Sequence, residues 1–526
     1  MRRVLLGILS YIRRHAFVSS VILGLVIMLA WTLYQFFSSV SIYDLVGQQV
    51  YARQLLTPGT SDATIGATHY LVKIFLVYIP FEWLHLSPRF SLIAMTVLVN
   101  SISYVVIALA LRRIVITLGL KVGKFFYLGL IWMAAFSASL FWIEFTNSRN
   151  IEVAAGIWLV ALGVMYVQRP SQRLIIGIFA VSALSFFMDP LQVFMSGVPL
   201  LFYCLYQIKD HPKRYREAGW LIAALVAGYC AAWVLIHLAA RLIGFNLLDA
   251  SASASGAGII DVLHHAVPVI KGLALANVHF FTGVLADGGR LRQIVALAGT
   301  GIIIATWLIA VLKRQIPKNI AIFVIFFTVV IEGIYGASGQ SLSGDTSRYL
   351  IMLAPVFVIL ISSFSSISVR LRQAASITLV TIIALNSLFA VGLSVHAWPQ
   401  RFSKDEPLAV SSQLAGDPST HFYASLDIAL PADYYYPHVM ILPLACNDHH
   451  RLQLAANTFS RTAFQRVQQA TATYDAIILV NNVMTNYPSV CSKDDITSQF
   501  PRPIKDVTVG NQTVLYYQSG FVARQL

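Results

Sequence analysis

Asp44, Gln48 and Tyr51 follow the first long apolar run of the chain, and a helix over 43–56 would set all three on one face. An acid flanked by an amide and a phenol can hold a hydroxyl and take its proton. The same acid can equally cap or solvate a helix lying at a membrane surface. Thr57-Pro58-Gly59 would end that helix. Glu144, Arg149 and Glu152 surround a second short turn. Arg149 and Glu152 have the spacing of a helical ion pair, and the other reading is that Arg149 meets a phosphate or orients Asp44. Arg348 stands in the Gly- and Ser-rich stretch before another apolar run. It can fork onto a phosphate or snorkel as a plain anchor. Between 241 and 292 stand Asp261, His264, His265, Lys271, His279 and Asp287. Neighbouring His side chains on a helix diverge by about 100°, so the His pair makes no metal site alone. Lys271 as a phosphate contact is the better reading of that stretch.

The elements that must position these groups are membrane helices. The composition is 57% apolar and only 11% charged, and the mean hydropathy is +0.71. Apolar runs predict eleven spans near 17–37, 90–111, 125–143, 151–168, 173–188, 191–208, 218–240, 294–312, 319–336, 349–366 and 374–395. The formal charge of +14 follows from topology and calls for no nucleic acid. Arg13, Arg14, Arg112, Arg113, Lys121, Lys124, Arg169, Arg173, Lys209, Lys313, Arg314, Arg370 and Arg372 fall in alternate, short connections. That pattern predicts a cytoplasmic N-terminus and an extracytoplasmic C-terminal region. The N-terminal apolar run reads as an uncleaved anchor. The segment from His69 to Leu86 carries Lys73, Glu82 and His85, with Pro80 inside it, and is expected on the membrane surface rather than across it.

Two domains are expected: a membrane domain over 1–395 with external loops 38–89, 241–292 and 336–348, and a small extracytoplasmic α/β domain over 396–526. In the latter, strand-like runs occur at 421–426, 439–444, 474–480 and 514–518, with a helical pattern over 449–472. Cys446 and Cys491 can pair if this region faces an oxidising compartment. Cys204 and Cys230 fall in apolar runs. No Walker loop, dinucleotide fingerprint or zinc-protease HExxH is present.

Three short motifs, in order along this topology, resemble the GT-C superfamily of membrane glycosyltransferases, in particular the branch of protein O-mannosyltransferases and lipid A aminoarabinose transferases. Tyr43-Asp44 with Tyr51 resembles the acidic motif of the first external loop. Ser148-Arg149-Asn150-Ile151-Glu152 resembles the arginine-bearing turn before the fourth span. Ser347-Arg348-Tyr349-Leu350 with the following Ile351-Met352-Leu353-Ala354-Pro355 resembles the start of a late span. The sequence departs from many members in having one acid at 44 rather than an Asp-Glu pair, and Thr68-His69-Tyr70 where a Pro-Pro run is common.

The resemblance implies a multi-pass α-helical fold of about eleven transmembrane helices. It implies transfer of a sugar from a polyprenyl phosphate to a hydroxyl of a glycan, lipid or protein acceptor, at the outer face of the inner membrane. Asp44 would be the general base. Gln48, Tyr51, His69, Arg149, Glu152, Lys271, Arg348 and Tyr349 would bind the substrates. A divalent cation, Mg or Mn, is the one cofactor to expect. Two other classes remain open: a lipid or polysaccharide transporter, and a polymerase or ligase that uses lipid diphosphate oligosaccharides. A transporter would be expected to show inverted repeats and charge at mid-membrane depth.

Overall fold

The computed structural model describes residues 15–38, 64–65, 74–84, 86, 88–136, 150–209, 215–243, 246–247, 266–282, 290–337, 350–397, 419–425, 428–429, 432, 441–447, 449–454, 472–486, 489–500 and 502–522. Its contacts divide the chain into two units. One comprises 1–35, 96–236 and 251–395, and the other 36–95, 237–250 and 396–526.

Long apolar runs become helices because, in hydrocarbon, every backbone N–H and C=O must be satisfied within its own segment. The helices are α1 (Ala16–Ser38), α2 (Pro88–Thr117), α3 (Lys124–Phe136), α4 (Asn150–Gln168), α5 (Gln172–Met188), α6 (Val198–Ile208), α7 (Tyr215–Ile243), α8 (Ala266–Thr282), α9 (Arg290–Leu312), α10 (Lys318–Ala337), α11 (Leu353–Ser363) and α12 (Val369–Ala397). Seven of these are long and apolar enough to cross a membrane: α1, α2, α4, α7, α9, α10 and α12. Shorter apolar helices accompany them. Each of the eleven expected spans has a helix, so the chain is a multi-pass α-helical protein. α8 is the addition: it lies within 241–292, a stretch read from the sequence only as an external loop.

Aromatic and small residues set how closely the helices pack. Trp132 of α3 lies 4.6 Å from Phe357 of α11, and Phe357 in turn meets Phe281 of α8 at 5.4 Å. Tyr104 of α2 is wholly buried and donates to the Leu130 carbonyl at 2.9 Å. Its ring lies where a side chain on Gly24 of α1 would stand, so α1 approaches α2 only because residue 24 has no Cβ. The opposite faces are apolar and exposed, as with Trp220, Val226, Trp233, Ile377 and Leu388, which suits a surrounding of lipid.

In the other unit, the expected surface segment is a short interrupted helix: a π-helical turn (Ile74–Tyr78) leads into Ile79–Trp83. Leu76, Trp83 and Leu84 are exposed on it. Thr64–Ile65 pairs in parallel with Asn246–Leu247.

The C-terminal domain is a mixed sheet. Its strands are β1 (Thr420–Ser425), β2 (Ile441–Cys446), β3 (Leu452–Leu454), β4 (Tyr474–Val480), β5 (Val483–Asn486), β6 (Ser489–Ser492), β7 (Lys505–Val509) and β8 (Gln512–Gln518). The order across the sheet is β3-β2-β1-β4-β8-β7, with β5 joining β4 to β6. β2, β1 and β4 are parallel, while β8 runs antiparallel to both its neighbours. The central strands are buried on both faces, Tyr423, Leu442 and Ile477 on one and Phe422, Ile441 and Ala476 on the other. That is the condition of a sheet covered on two sides. The helical pattern expected from 449 needs correction at its start. Residues 452–454 form a strand antiparallel to β2, because Leu452 and Leu454 alternate with Gln453. Residues 455–471 lie outside the described residues.

Cys446 at the end of β2 and Cys491 in β6 form a disulfide, with Cα atoms 5.8 Å apart. Just beyond Cys491, Ser492 caps the helix α13 (Lys493–Gln499). The Ser492 hydroxyl and amide each donate to Asp495 at 2.7 Å, and these bonds hold the Asp495 carboxyl below its ordinary range. Buried Asp475 accepts from the Val522 amide at 2.9 Å and lies 3.4 Å from His421, which fastens the C-terminal turn to β4.

Candidate functional site

The helical unit has two chemically different ends. At one end the basic connections meet. Arg112 lies over Phe17 at 5.1 Å, and Gln168 donates to the Thr117 carbonyl. Asn319 reaches the Leu118 carbonyl at 3.4 Å. Lys209 and Lys318 both lie over Tyr206, at 4.2 and 6.0 Å, and Gln315 accepts from the Ser368 amide. Connections that charge alone assigned to one side therefore do share one side.

At the opposite end the interior turns polar. Asn150, the first residue of α4, donates to Asn100 of α2, and both are buried. Two positions on, Glu152 is 0% exposed, although it stands in an apolar helix. α5 ends at Asp189, which is 2% exposed and accepts from the Leu191 amide at 3.0 Å. Pro190 supplies no donor there. The chain resumes at Gln192 through a π-helical turn (Val193–Gly197) before α6. Gly156 faces Gln192 and Ser196, and Gly163 faces Leu200. The segments 156–163 and 192–200 therefore run side by side in the same direction. On that register Asp189 falls level with Glu152, so two buried acids share a height. Burying charge in a membrane bundle costs several kcal/mol unless it is matched, and such groups mark sites.

A second polar contact lies at this same end. Asn277 of α8 donates to Glu332 of α10 at 3.1 Å. Val269 lies 3.8 Å from where a Cβ on Gly336 would stand, so α8 runs antiparallel to α10, starting near the end where α10 finishes. Val269, Gly272, Ala276 and Phe280 face inward, whereas Val267, Ile270 and Lys271 are exposed. Lys271 is thus a cation set in an apolar, outward face.

Of the residues expected to bind substrate, Glu152 is buried in the polar cluster and Lys271 is exposed on α8; both belong to the end opposite the basic one. Asp44, Gln48, Tyr51, His69, Arg149, Arg348 and Tyr349 lie outside the described residues. Sequence reasoning did not single out Asn100, Gln192, Asn277 or Glu332. The available signal was a lone polar residue inside an apolar run, which hydropathy averages away. Among the described residues, no three His, Cys, Asp or Glu side chains converge as metal ligands.

The architecture is a bundle of apolar helices followed, after the last of them, by an α/β domain. Solved structures share it. ArnT from Cupriavidus metallidurans, crystallised with undecaprenyl phosphate, matches 95% of this chain and 97% of its own at a TM-score of 0.53 and 11% identity. The apo state of the same protein matches 93% of this chain and 97% of its own at 0.54 and 12% identity. The chain has that fold. No protein-family model and no curated protein sequence matches it.

Proposed function

We propose that this protein is a membrane glycosyltransferase that moves a sugar from a polyprenyl phosphate to an acceptor hydroxyl. The observation that carries the reading is the shared fold along nearly the whole chain with an ArnT crystallised on undecaprenyl phosphate. The three sequence motifs, which stand in GT-C order along it, agree. Glu152, from the second motif, is buried at the polar end of the bundle.

Asp44 takes the proton of the acceptor hydroxyl. The hydroxyl oxygen attacks the anomeric carbon, and the bond from that carbon to the phosphate oxygen breaks on the far side, which inverts the centre. The polyprenyl phosphate leaves as an anion and needs cations rather than a proton donor. Arg348, Arg149 and Lys271 are the groups for that, and Gln48, Tyr51, His69 and Tyr349 complete the binding set. Whether Mg or Mn assists is tested by chelation and re-addition.

The disulfide supports an extracytoplasmic C-terminal domain, since such bonds persist in oxidising compartments. The basic end of the bundle then faces the cytoplasm, and the acceptor is met outside.

The test is transfer by the purified chain in lipid nanodiscs, supplied with undecaprenyl-phosphate pentoses and hexoses and read by mass spectrometry of the lipid and acceptor pools. Sugar-bearing product with release of undecaprenyl phosphate is expected. Vesicle uptake of the lipid with no covalent product would instead make this a transporter, and consumption of lipid diphosphate oligosaccharides alone would make it a polymerase or ligase.

A further inference from the structure

Gln192 is 0% exposed, and neither head atom of its carboxamide has a hydrogen-bond partner among the described residues. Leaving a buried amide unmatched is destabilising. The fold makes a second concession at the same spot. Residue 156 is glycine in the interior of α4, where Gly is less favourable than Ala. A Cβ there would overlap Gln192 Oε1 and crowd Ser196 Oγ at 3.3 Å. A third irregularity holds the amide in place: the π-helical turn that opens right after Gln192, with Ser196 donating to the Gln192 carbonyl at 2.7 Å. Turns of this kind occur often at functional sites.

The chemistry of the neighbours says what such an amide would meet. Glu152 stands one turn away on the Gly156 face, and Asp189 is level with it. Asn150 and Asn100 each keep one head atom, Asn150 Oδ1 and Asn100 Nδ2, without a partner among the described residues. Two carboxylates repel a phosphate. Carboxylates that accept and carboxamides that both donate and accept suit a hydroxyl, which does both. A ring bearing several hydroxyls is a ligand that matches the carboxamide heads of Gln192, Asn150 and Asn100.

We infer that Gln192, seated over Gly156, hydrogen-bonds the hydroxyls of the donor sugar and sets which sugar is accepted. The inference rests on the glycosyltransferase reading and deepens it: the sugar ring lies in the polar cluster. Gln192 acts in specificity and touches no bond that breaks.

The experiment measures binding of undecaprenyl phosphate, and of undecaprenyl-phosphate pentoses and hexoses, to the full chain in nanodiscs. Wild type is expected to bind at least one sugar-bearing lipid about tenfold or more tighter than the bare lipid phosphate. Gln192→Leu is expected to erase that margin and leave bare lipid phosphate binding unchanged. Gly156→Ala, which moves the carboxamide without removing it, is expected to reduce the margin in a chain whose melting temperature is read alongside. Equal binding of bare and sugar-bearing lipid by wild type overturns the inference while lipid recognition stands. So does equal weakening of both lipids in Gln192→Leu, or an unchanged margin in both variants. Binding of neither lipid by wild type removes the glycosyltransferase reading and this inference with it.

Discussion

Asn277 and Glu332 join α8 to α10 through one hydrogen bond of 3.1 Å, made inside an otherwise apolar contact. Such bonds between membrane helices contribute on average about 0.6 kcal/mol and at most about 1.7. Glu332→Leu should therefore loosen α8 modestly. The expected reading is faster hydrogen–deuterium exchange over 266–282, with α2 and α4 unaffected. Glu332→Gln, which keeps an acceptor, should exchange like wild type. If the leucine variant exchanges no faster, the contact does not hold α8.

Asp44→Asn removes the proposed general base and keeps its shape. Transfer should fall by about 10²–10⁴-fold, with binding of undecaprenyl phosphate within about twofold of wild type. Near-full transfer by the asparagine variant sinks the assignment of Asp44.

The Cys446–Cys491 bond closes a loop whose ends lie 45 residues apart. Native disulfides of this kind contribute about 2–4 kcal/mol. Reductant, or Cys446→Ser with Cys491→Ser, should lower the melting temperature of the C-terminal domain. A thiol reagent should label neither cysteine until reduction. Labelling of Cys446 in untreated protein would show the pair to be open in the cell.

Asp495 gives a pH signature of known sign. Its carboxyl is held low in the fold by the two bonds from Ser492. The stability it supplies is complete above the ordinary aspartate range, near pH 4, and is lost as pH falls through the lower, folded value. Exchange protection of 489–499 should therefore drop on acidification, and Asp495→Asn should flatten that dependence. An identical acid profile in the variant would rule out this cap as the cause.

Apolar runs revealed the membrane helices because a spanning helix must be apolar over a fixed length, and α4, α5 and α10 begin and end within a residue or so of the expected limits. α8 escaped because Lys271, Asn277 and His279 dilute its hydropathy, although Val269, Gly272, Ala276 and Phe280 keep a helical period. In the C-terminal domain β4 was legible from its continuous apolar run. β7 was not, since it is exposed along its whole length and alternates nothing. The polar cluster was the least legible part. Asn100 and Asn150, like Gly156 and Gln192, are brought together only by packing of helices far apart in the chain. Glu152 was marked by its motif, and its burial by nothing in the sequence.

The widened turn at 193–197 fixes an angular register. A helix advances about 100° per residue, so deleting one residue from that turn would restore regular winding and swing residue 192 away from Gly156 by roughly a quarter of a revolution. Relatives with one residue fewer there would present a different side chain to the cluster and would be expected to favour a different sugar.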